Sequence, residues 1–211
     1  MKFNPDIHHR QSIRLKSHDY SKAGSYFITV CTQGRECLFG KVKNSVIELN
    51  PAGKMIQEIW KGLPQFHSDF TMDEFVVMPY HIHGIIVLTE DVGAGLRAYP
   101  PPRATQQNQK IGQPRRVAPT ITLPDVIHHF KSYTTARYRD QVENEGWPPF
   151  PGRLWQRNYY EHVIRNKNSL NKIREYIINN PMRWQFDRDN PVAHSDALEK
   201  DFWKSFGQDH K

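Results

Sequence analysis

DEFVVMPYHIHGIIVL, Asp73 to Leu88, is the stretch whose reading decides the fold. Phe75-Val76-Val77-Met78 and the run from His81 onward are both β-prone, and they flank Pro79-Tyr80. Proline cannot donate to a sheet ladder, so the pair is expected in a tight turn, and the stretch reads as a β-hairpin. Its returning strand, His81 to Thr89, opens with two imidazoles, which places them near a sheet edge. Residues i and i+2 of a strand point to one face. His81 and His83 therefore project side by side while Ile82 turns to the core, and two convergent neutral imidazoles make half of a metal site. Chance is the simpler account, since a chain with 11 histidines will place two at this spacing without purpose. The pair needs partners.

Upstream, Tyr26-Phe27-Ile28-Thr29-Val30-Cys31 reads as the first strand, after a polar, basic segment to about Ser21 that carries Arg10, Arg14 and Lys16. Gly34 marks a turn, and Leu38 to Lys43 and Ser45 to Leu49 read as short strands about Asn44. Asn50-Pro51 opens a helix, with asparagine as N-cap and proline at the first helical position. Met55, Ile56 and Ile59 supply its apolar spacing, and Gly62-Leu63-Pro64 should end it.

Downstream, Val92 to about Pro119 contains Gly93, Gly95, Pro100-Pro101-Pro102, five basic residues and no acidic one. Such a stretch buries too little apolar surface to offset its ordering entropy, so a mobile basic insertion is expected, as a linker or a nucleic-acid-contacting arm. A helix follows from Leu123 to about Val142, with Val126, Ile127, Phe130 and Tyr133 inward and Lys131, Arg137 and Arg139 outward. Trp147 to Gly152 is turn-like, and Leu154 to Arg157 with Tyr159 to Ile164 suggests a final strand. The last helix covers Asn168 to Asn179 on a Leu170, Ile173, Ile177 stripe, and Pro181 stops it. The tail beyond Gln185 is polar, and one short amphipathic turn is expected at Phe202, Trp203 and Phe206. Strands separated by helical segments in this order point to an α+β domain of ferredoxin-like arrangement, an antiparallel sheet with helices packed on a face. The domain spans residues 1–191, and 192–211 is the tail.

A chain of 211 residues suits one domain. Its 29 Lys and Arg against 22 Asp and Glu leave a net charge of +7, which favours a polyanionic partner, nucleic acid first, over a merely solubilising surface. Cys31 and Cys37 are the two cysteines, and no pair of CxxC motifs exists to bind structural zinc. Reduced thiols in a cytosolic protein are the simple expectation. MKFNPDIHHRQSIRLK has no apolar core of a signal peptide, and Ile85 to Leu88 is too short to span a bilayer, so a soluble cytoplasmic protein is expected.

On the last helix Tyr176 and Asn180 are four residues apart and share the face flanking the apolar stripe. Both should lie at the margin between core and solvent, at the sheet edge where the histidines also lie. A boundary tyrosine with a wet hydroxyl, and an asparagine at a helix end, are the ordinary explanations.

Three segments carry a resemblance: SIRLKSHDYSKAGSYFITVCTQGRECLFG, DEFVVMPYHIHGIIVL and LWQRNYYEHVIRNKNSLNKIREYIINNPMRW. They resemble the HUH single-tyrosine transposase family, especially its REP-associated tyrosine transposase branch, over roughly Gln11 to Pro191 apart from the insertion. The resemblance implies a ferredoxin-like domain in which His81 and His83 hold a divalent metal, Mg2+ or Mn2+, and Tyr176 is the nucleophile. Insertion-sequence members tend to carry glutamine as third ligand four residues after the tyrosine; Asn180 stands there, as in the REP-associated branch. Ile82 fits the bulky middle position of the pair. The implied activity is a single-stranded DNA endonuclease and strand transferase acting on stem-loop DNA through a 5′-phosphotyrosine.

A tyrosine of ordinary pKa near 10 is a weak nucleophile at neutral pH unless the phosphate is activated, and a divalent metal would supply that activation. A mixed nitrogen and oxygen site suits either ion. Tyr159 and Tyr160 are rival nucleophiles, one of them core-facing by strand alternation. Lys131, Arg137, Arg153, Arg157 and Arg165 are candidate phosphate contacts, and His162 is a DNA contact or a solvent-facing strand residue. One tyrosine per site leaves monomer and homodimer both open, and no general base stands out. A catalytically inactive DNA- or RNA-binding regulator on the same fold is the alternative, against which the intact His81, His83, Tyr176 and Asn180 argue. A metal-dependent hydrolase would want a carboxylate ligand, and no Asp or Glu stands at a matching position.

Overall fold

Among the described residues, six strands and three α-helices run in the order β1 (Gly24–Cys31), β2 (Gly40–Lys43), β3 (Val46–Leu49), α1 (Pro51–Gly62), β4 (Phe70–Val77), β5 (His81–Leu88), α2 (Leu123–Glu145), β6 (Tyr160–Ile164) and α3 (Lys167–Asn179). The computed structural model describes residues 18–66, 69–89 and 121–186, with Asn190 and Asp201. The basic insertion at 92–119, the N-terminal segment up to residue 17 and, apart from Asp201, the tail at 192–211 lie outside the described residues. No helix among the described residues is long and apolar enough to cross a membrane.

The main sheet has the order β4-β5-β1-β6, antiparallel throughout. Apart from the small β2-β3 hairpin, the chain follows the split βαβ pattern of a ferredoxin-like α+β fold, with its first and third sheet strands paired at the centre. The hairpin is therefore formed as the sequence predicts, with Met78 N–H donating to the His81 carbonyl across Pro79-Tyr80 at 2.8 Å. Its returning strand is not at the edge. β5 lies between β4 and β1 and pairs with β1 along all eight residues, because Ile82, Ile85 and Ile86 are apolar on both faces of the strand and demand cover on both.

Strand alternation divides the core in two. Tyr26, Ile28 and Val30 of β1 and Ile82, Ile86 and Leu88 of β5 pack against Met55, Ile56 and Trp60 of α1 and Val126, Ile127 and Phe130 of α2. The alternate residues Phe27 and Ile85 pack with Ile164, Ile173, Tyr176 and Ile177. Thus α1 and α2 cover one face and α3 the other, where the sequence suggests helices on one face; the Ile173-Ile177 stripe of α3 needs an apolar surface of its own, and Phe27 with Ile85 supplies it.

Gly84 belongs to the α1 face, and the Trp60 indole fills the space that a β-carbon would take, with Cη2 3.0 Å from it. Trp60 is fully buried and has nowhere to retreat. Gly84→Ala is expected to cost about 1–3 kcal/mol by overpacking, seen as a fall of several degrees in Tm. An unchanged Tm would mean that the indole swings aside at no cost.

Element ends differ from the sequence reading for local reasons. Asn50 caps α1 by accepting from Gly53 N–H at 2.9 Å, as expected. β4 begins five residues earlier than Phe75, through a bulge between Met72 and Phe75 that hides its alternation. α2 starts on a capping box of Thr122 and Asp125 and ends at Gly146, whose φ is 67°. Its inward row passes through Thr134 and Tyr138, leaving Tyr133 half-buried. β6 is shorter than expected: residues 154–158 are irregular, with Trp155 bridged only to Thr32. The Lys131 ammonium donates instead to the carbonyls of Gln156, Arg157 and Asn158 at 2.8, 3.3 and 3.0 Å, which fixes that loop.

Candidate metal and nucleophile site

β5 positions the two imidazoles on the α3 face at the first and third residues of the strand, and both are fully buried. Their Nε2 atoms are 3.0 Å apart, with ring centroids at 4.4 Å. Thr29 faces His83 across β1 and β5, and its hydroxyl is hydrogen-bonded to His83 Nδ1 at 2.8 Å. Phe27 stacks on the same imidazole at 5.4 Å and 30°. One nitrogen of His83 is thus tied down by the sheet, and the other turns to its neighbour.

Tyr176 reaches this face from α3. Its ring centroid is 5.4 Å from that of His83 and 6.1 Å from that of Phe27, edge to face. Asn180 follows one turn later as the C-cap of α3. The sequence places both at a wet margin, but they are 3% and 1% exposed, because the HIH strand is central and the helix lies directly over it. Pro181 ends α3 without ending the helical path, since Arg183 N–H still donates to the Asn179 carbonyl at 3.1 Å. That extra turn brings Trp184 over the site: its indole stacks on His81 at 5.9 Å and 29° and lies 5.4 Å from Tyr80. Asn190 holds the turn by donating to the Trp184 carbonyl at 2.8 Å. Sequence reasoning misses Trp184, although the spacing Tyr176, Asn180, Trp184 is the i, i+4, i+8 signal that would find it.

The seat of α3 is an ion pair. Arg174, two residues before Tyr176, donates through Nε and Nη2 to the two Asp73 oxygens in β4 at 2.8 and 2.6 Å. The Arg174 hydrogen bonds, and to a lesser degree the Glu74 backbone N–H, hold the Asp73 carboxyl below its usual range. A depressed carboxylate stabilises the fold above its unfolded pKa near 4, and that contribution is lost as pH falls through the folded value. Asp73→Asn is expected to lose about 1 kcal/mol at pH 7, given the half-open setting of the pair. In urea unfolding at pH 7 and pH 3 the unmodified protein should lose more stability between the two than the variant, and equal losses would remove the pair from the seat of α3.

The other named residues do not form one surface. Lys131 is engaged by three carbonyls as described, so its place is structural. Arg153 and Arg157, with Arg139, line a groove between α2 and residues 152–159. Arg137 lines a separate depression between α1 and α2, and Arg165 is exposed between β6 and α3. His162 is half-buried opposite Phe27 on the α3 face. Tyr159 faces the α1 and α2 core, whereas Tyr160 is 36% exposed and lies opposite Thr29. Thr29 therefore has His83 on one side and Tyr160 on the other, in one row across three strands. Among the described residues no three His, Cys, Asp or Glu side chains converge as a metal cluster, so an ion at the histidine pair would complete its shell with amide, water or substrate oxygen.

The fold and site define an α+β protein of ferredoxin-like topology with a buried His-x-His pair beside a tyrosine of α3. No family model matches the chain. A Haemophilus influenzae protein named "Uncharacterized protein" is 40% identical over 187 residues, covering 89% of this chain and 96% of the relative; the chain belongs to the family of that protein. A second Haemophilus influenzae protein, named "Putative REP-associated tyrosine transposase", is 26% identical over 167 residues, 78% of this chain and 74% of the relative. A solved structure described as a REP-associated tyrosine transposase bound to a REP hairpin aligns with a TM-score of 0.48 at 18% identity, over 82% of this chain and 74% of that one. The family that the HIH pair and the YIINNP segment resemble is thus the one named for the second of these relatives.

Proposed function

We propose that the chain is a DNA strand-cleaving and strand-transferring enzyme in which Tyr176 attacks a phosphodiester of single-stranded or stem-loop DNA, with His81, His83 and Asn180 holding Mg2+ or Mn2+. The observation that carries this reading is the meeting of the β5 imidazoles and the α3 phenol in one buried cluster. Two nitrogens each about 2.1 Å from one ion and at right angles to each other are about 3 Å apart, and the two Nε2 atoms stand at 3.0 Å. A Thr29 hydroxyl that accepts from His83 Nδ1–H leaves the Nε2 lone pair available to such an ion and fixes the ring, the usual task of a group behind a metal ligand. When bound, a divalent cation there supplies Lewis-acid polarisation of the scissile phosphate.

The remaining work belongs to the chain. Phe27 and His83 fix the plane of the Tyr176 ring, and the Asp73–Arg174 pair fixes the helix that carries it. In cleavage the bond from the phenol oxygen to phosphorus forms as the bond from phosphorus to the 3′ oxygen breaks, and the phenol proton ends on that departing oxygen. The products are a 5′-phosphotyrosine and a free 3′-hydroxyl. The phosphodiester energy stays in the new link, so a second 3′-hydroxyl reverses the step without ATP.

Burial of all four residues favours one second reading, a DNA- or RNA-binding regulator that keeps the fold and does no chemistry. One experiment separates the two. Stem-loop oligonucleotides taken from palindromes beside the gene, labelled at the 3′ end, are incubated with the protein and Mg2+ or Mn2+. The expected result is a labelled protein–DNA species that survives denaturation. Tight binding with no such species on any hairpin would establish the regulator.

A further inference from the structure

His81, His83, Tyr176 and Asn180 are all buried, so a strand that reaches them must come from a flank that α3 leaves uncovered. α3 is seated at the β4 edge through Arg174 and Asp73, and β6 is the opposite edge of the sheet. Along β6 the side chains on the α3 face run from Ile164, packed in the core under α3, through half-buried His162 to Tyr160, an exposed residue. The covered face therefore gives way to solvent at Tyr160.

The contacts of that ring place it beside the chemistry. Phe27 meets Tyr160 at 6.3 Å and 69°, meets Tyr176 edge to face at 6.1 Å and stacks on His83. One phenylalanine thus abuts the tyrosine of α3, an imidazole of the pair and the exposed ring at the edge. In the sheet, Tyr160, Thr29 and His83 occupy one row, and two strand spacings make that row about 10 Å long. At the roughly 3.4 Å per nucleotide of a stacked strand this is about three nucleotides, and an extended strand covers it with fewer. An exposed aromatic ring takes any unpaired base by stacking, whatever its sequence. A base inside a duplex already has a neighbour on each face.

We propose that Tyr160 is a stacking platform for one unpaired base of the DNA, and that it positions the strand so that a phosphate within about three nucleotides of that base lies at His83 and Tyr176. This rests on the single-stranded segment of the substrate in the proposed function and not on its chemistry. The test measures affinity for a labelled hairpin carrying its unpaired flank, and for a set in which each flank nucleotide in turn is made abasic, with the unmodified protein, Tyr160→Ala and Tyr160→Phe. Tyr160→Ala is expected to lower affinity for the intact DNA about tenfold, the loss typical of one stacked base. One abasic position should cost the unmodified protein a similar factor, and the variant and that abasic DNA together should cost no more than either alone. Tyr160→Phe keeps the ring and should keep both the affinity and its dependence on that position. A 2-aminopurine placed there should be quenched by the unmodified protein and by Tyr160→Phe but not by Tyr160→Ala, a signature that misfolding of the alanine variant alone would not imitate at one position only. Unchanged affinity in Tyr160→Ala, or losses that multiply at every abasic position, would overturn the platform and leave the ring as cover for Phe27. A hairpin that shows the expected abasic pattern but yields no covalent species would instead overturn the cleavage chemistry and leave the platform standing.

Discussion

Tyr176→Phe is expected to abolish the denaturation-resistant protein–DNA species, lowering its rate of formation on the order of 10³-fold or more, as loss of a covalent nucleophile does. The substitution removes one oxygen and leaves the ring that packs edge to face with Phe27 and beside His83. Tm and hairpin affinity should therefore stay close to those of the unmodified protein, so that loss of the adduct reports chemistry rather than collapse of α3. Persistence of the adduct would transfer the role to Tyr160, which opens on the same face opposite Thr29. Tyr159 would not inherit it, because its ring belongs to the core on the other side of the sheet.

His83→Ala is the second large effect. It removes one of two nitrogens 3.0 Å apart, and a pair reduced to one imidazole holds a divalent ion poorly. Metal-dependent cleavage should fall at least about 100-fold, and Mn2+ binding, followed by calorimetry or electron paramagnetic resonance, should be lost. The binding measurement matters because truncation also deletes the ring stacked on Phe27 and the partner of the Thr29 hydroxyl, at a stability cost of its own. Retention of both Mn2+ binding and cleavage would reduce the pair to a hydrogen-bonded structural contact.

The architecture is legible in the sequence wherever period and punctuation agree. Asn50-Pro51, the Pro79-Tyr80 turn and the Ile173-Ile177 stripe lead to α1, the β4-β5 hairpin and α3 within a few residues. Position within the sheet is not, because alternation tells which residues share a face but says nothing of which strands become neighbours. That gap puts the histidines at an edge and Tyr176 and Asn180 at a wet margin, when all four are buried. The bulge at Met72 hides half of β4, and the ladder-like residues 154–157 touch the end of β1 at only a few backbone bonds and are fixed besides by a lysine ammonium, a long-range partner that spacing cannot reveal. Trp184 escapes because Pro181 reads as a stop, while the backbone carries one more turn. The basic residues picked out by sequence share only their charge; the fold distributes them over several surfaces, with Lys131, Arg153 and Arg157 beside Arg139 in one groove and Arg137 and Arg165 elsewhere.

Strand β5 serves two masters residue by residue. His81, His83 and Ile85 look toward the tyrosine helix while Ile82, Gly84 and Ile86 meet the helices behind, and six consecutive positions leave none idle. Such a segment has almost no room for neutral drift: a change suited to one face keeps its neighbours committed to the other, and an insertion or deletion of one residue would turn the histidines toward α1 and α2, away from the tyrosine helix. Neutral variation must therefore accumulate elsewhere, as on the loop before β6 and the outer face of α2, where exposed arginines can be exchanged without disturbing the strand that carries the histidine pair.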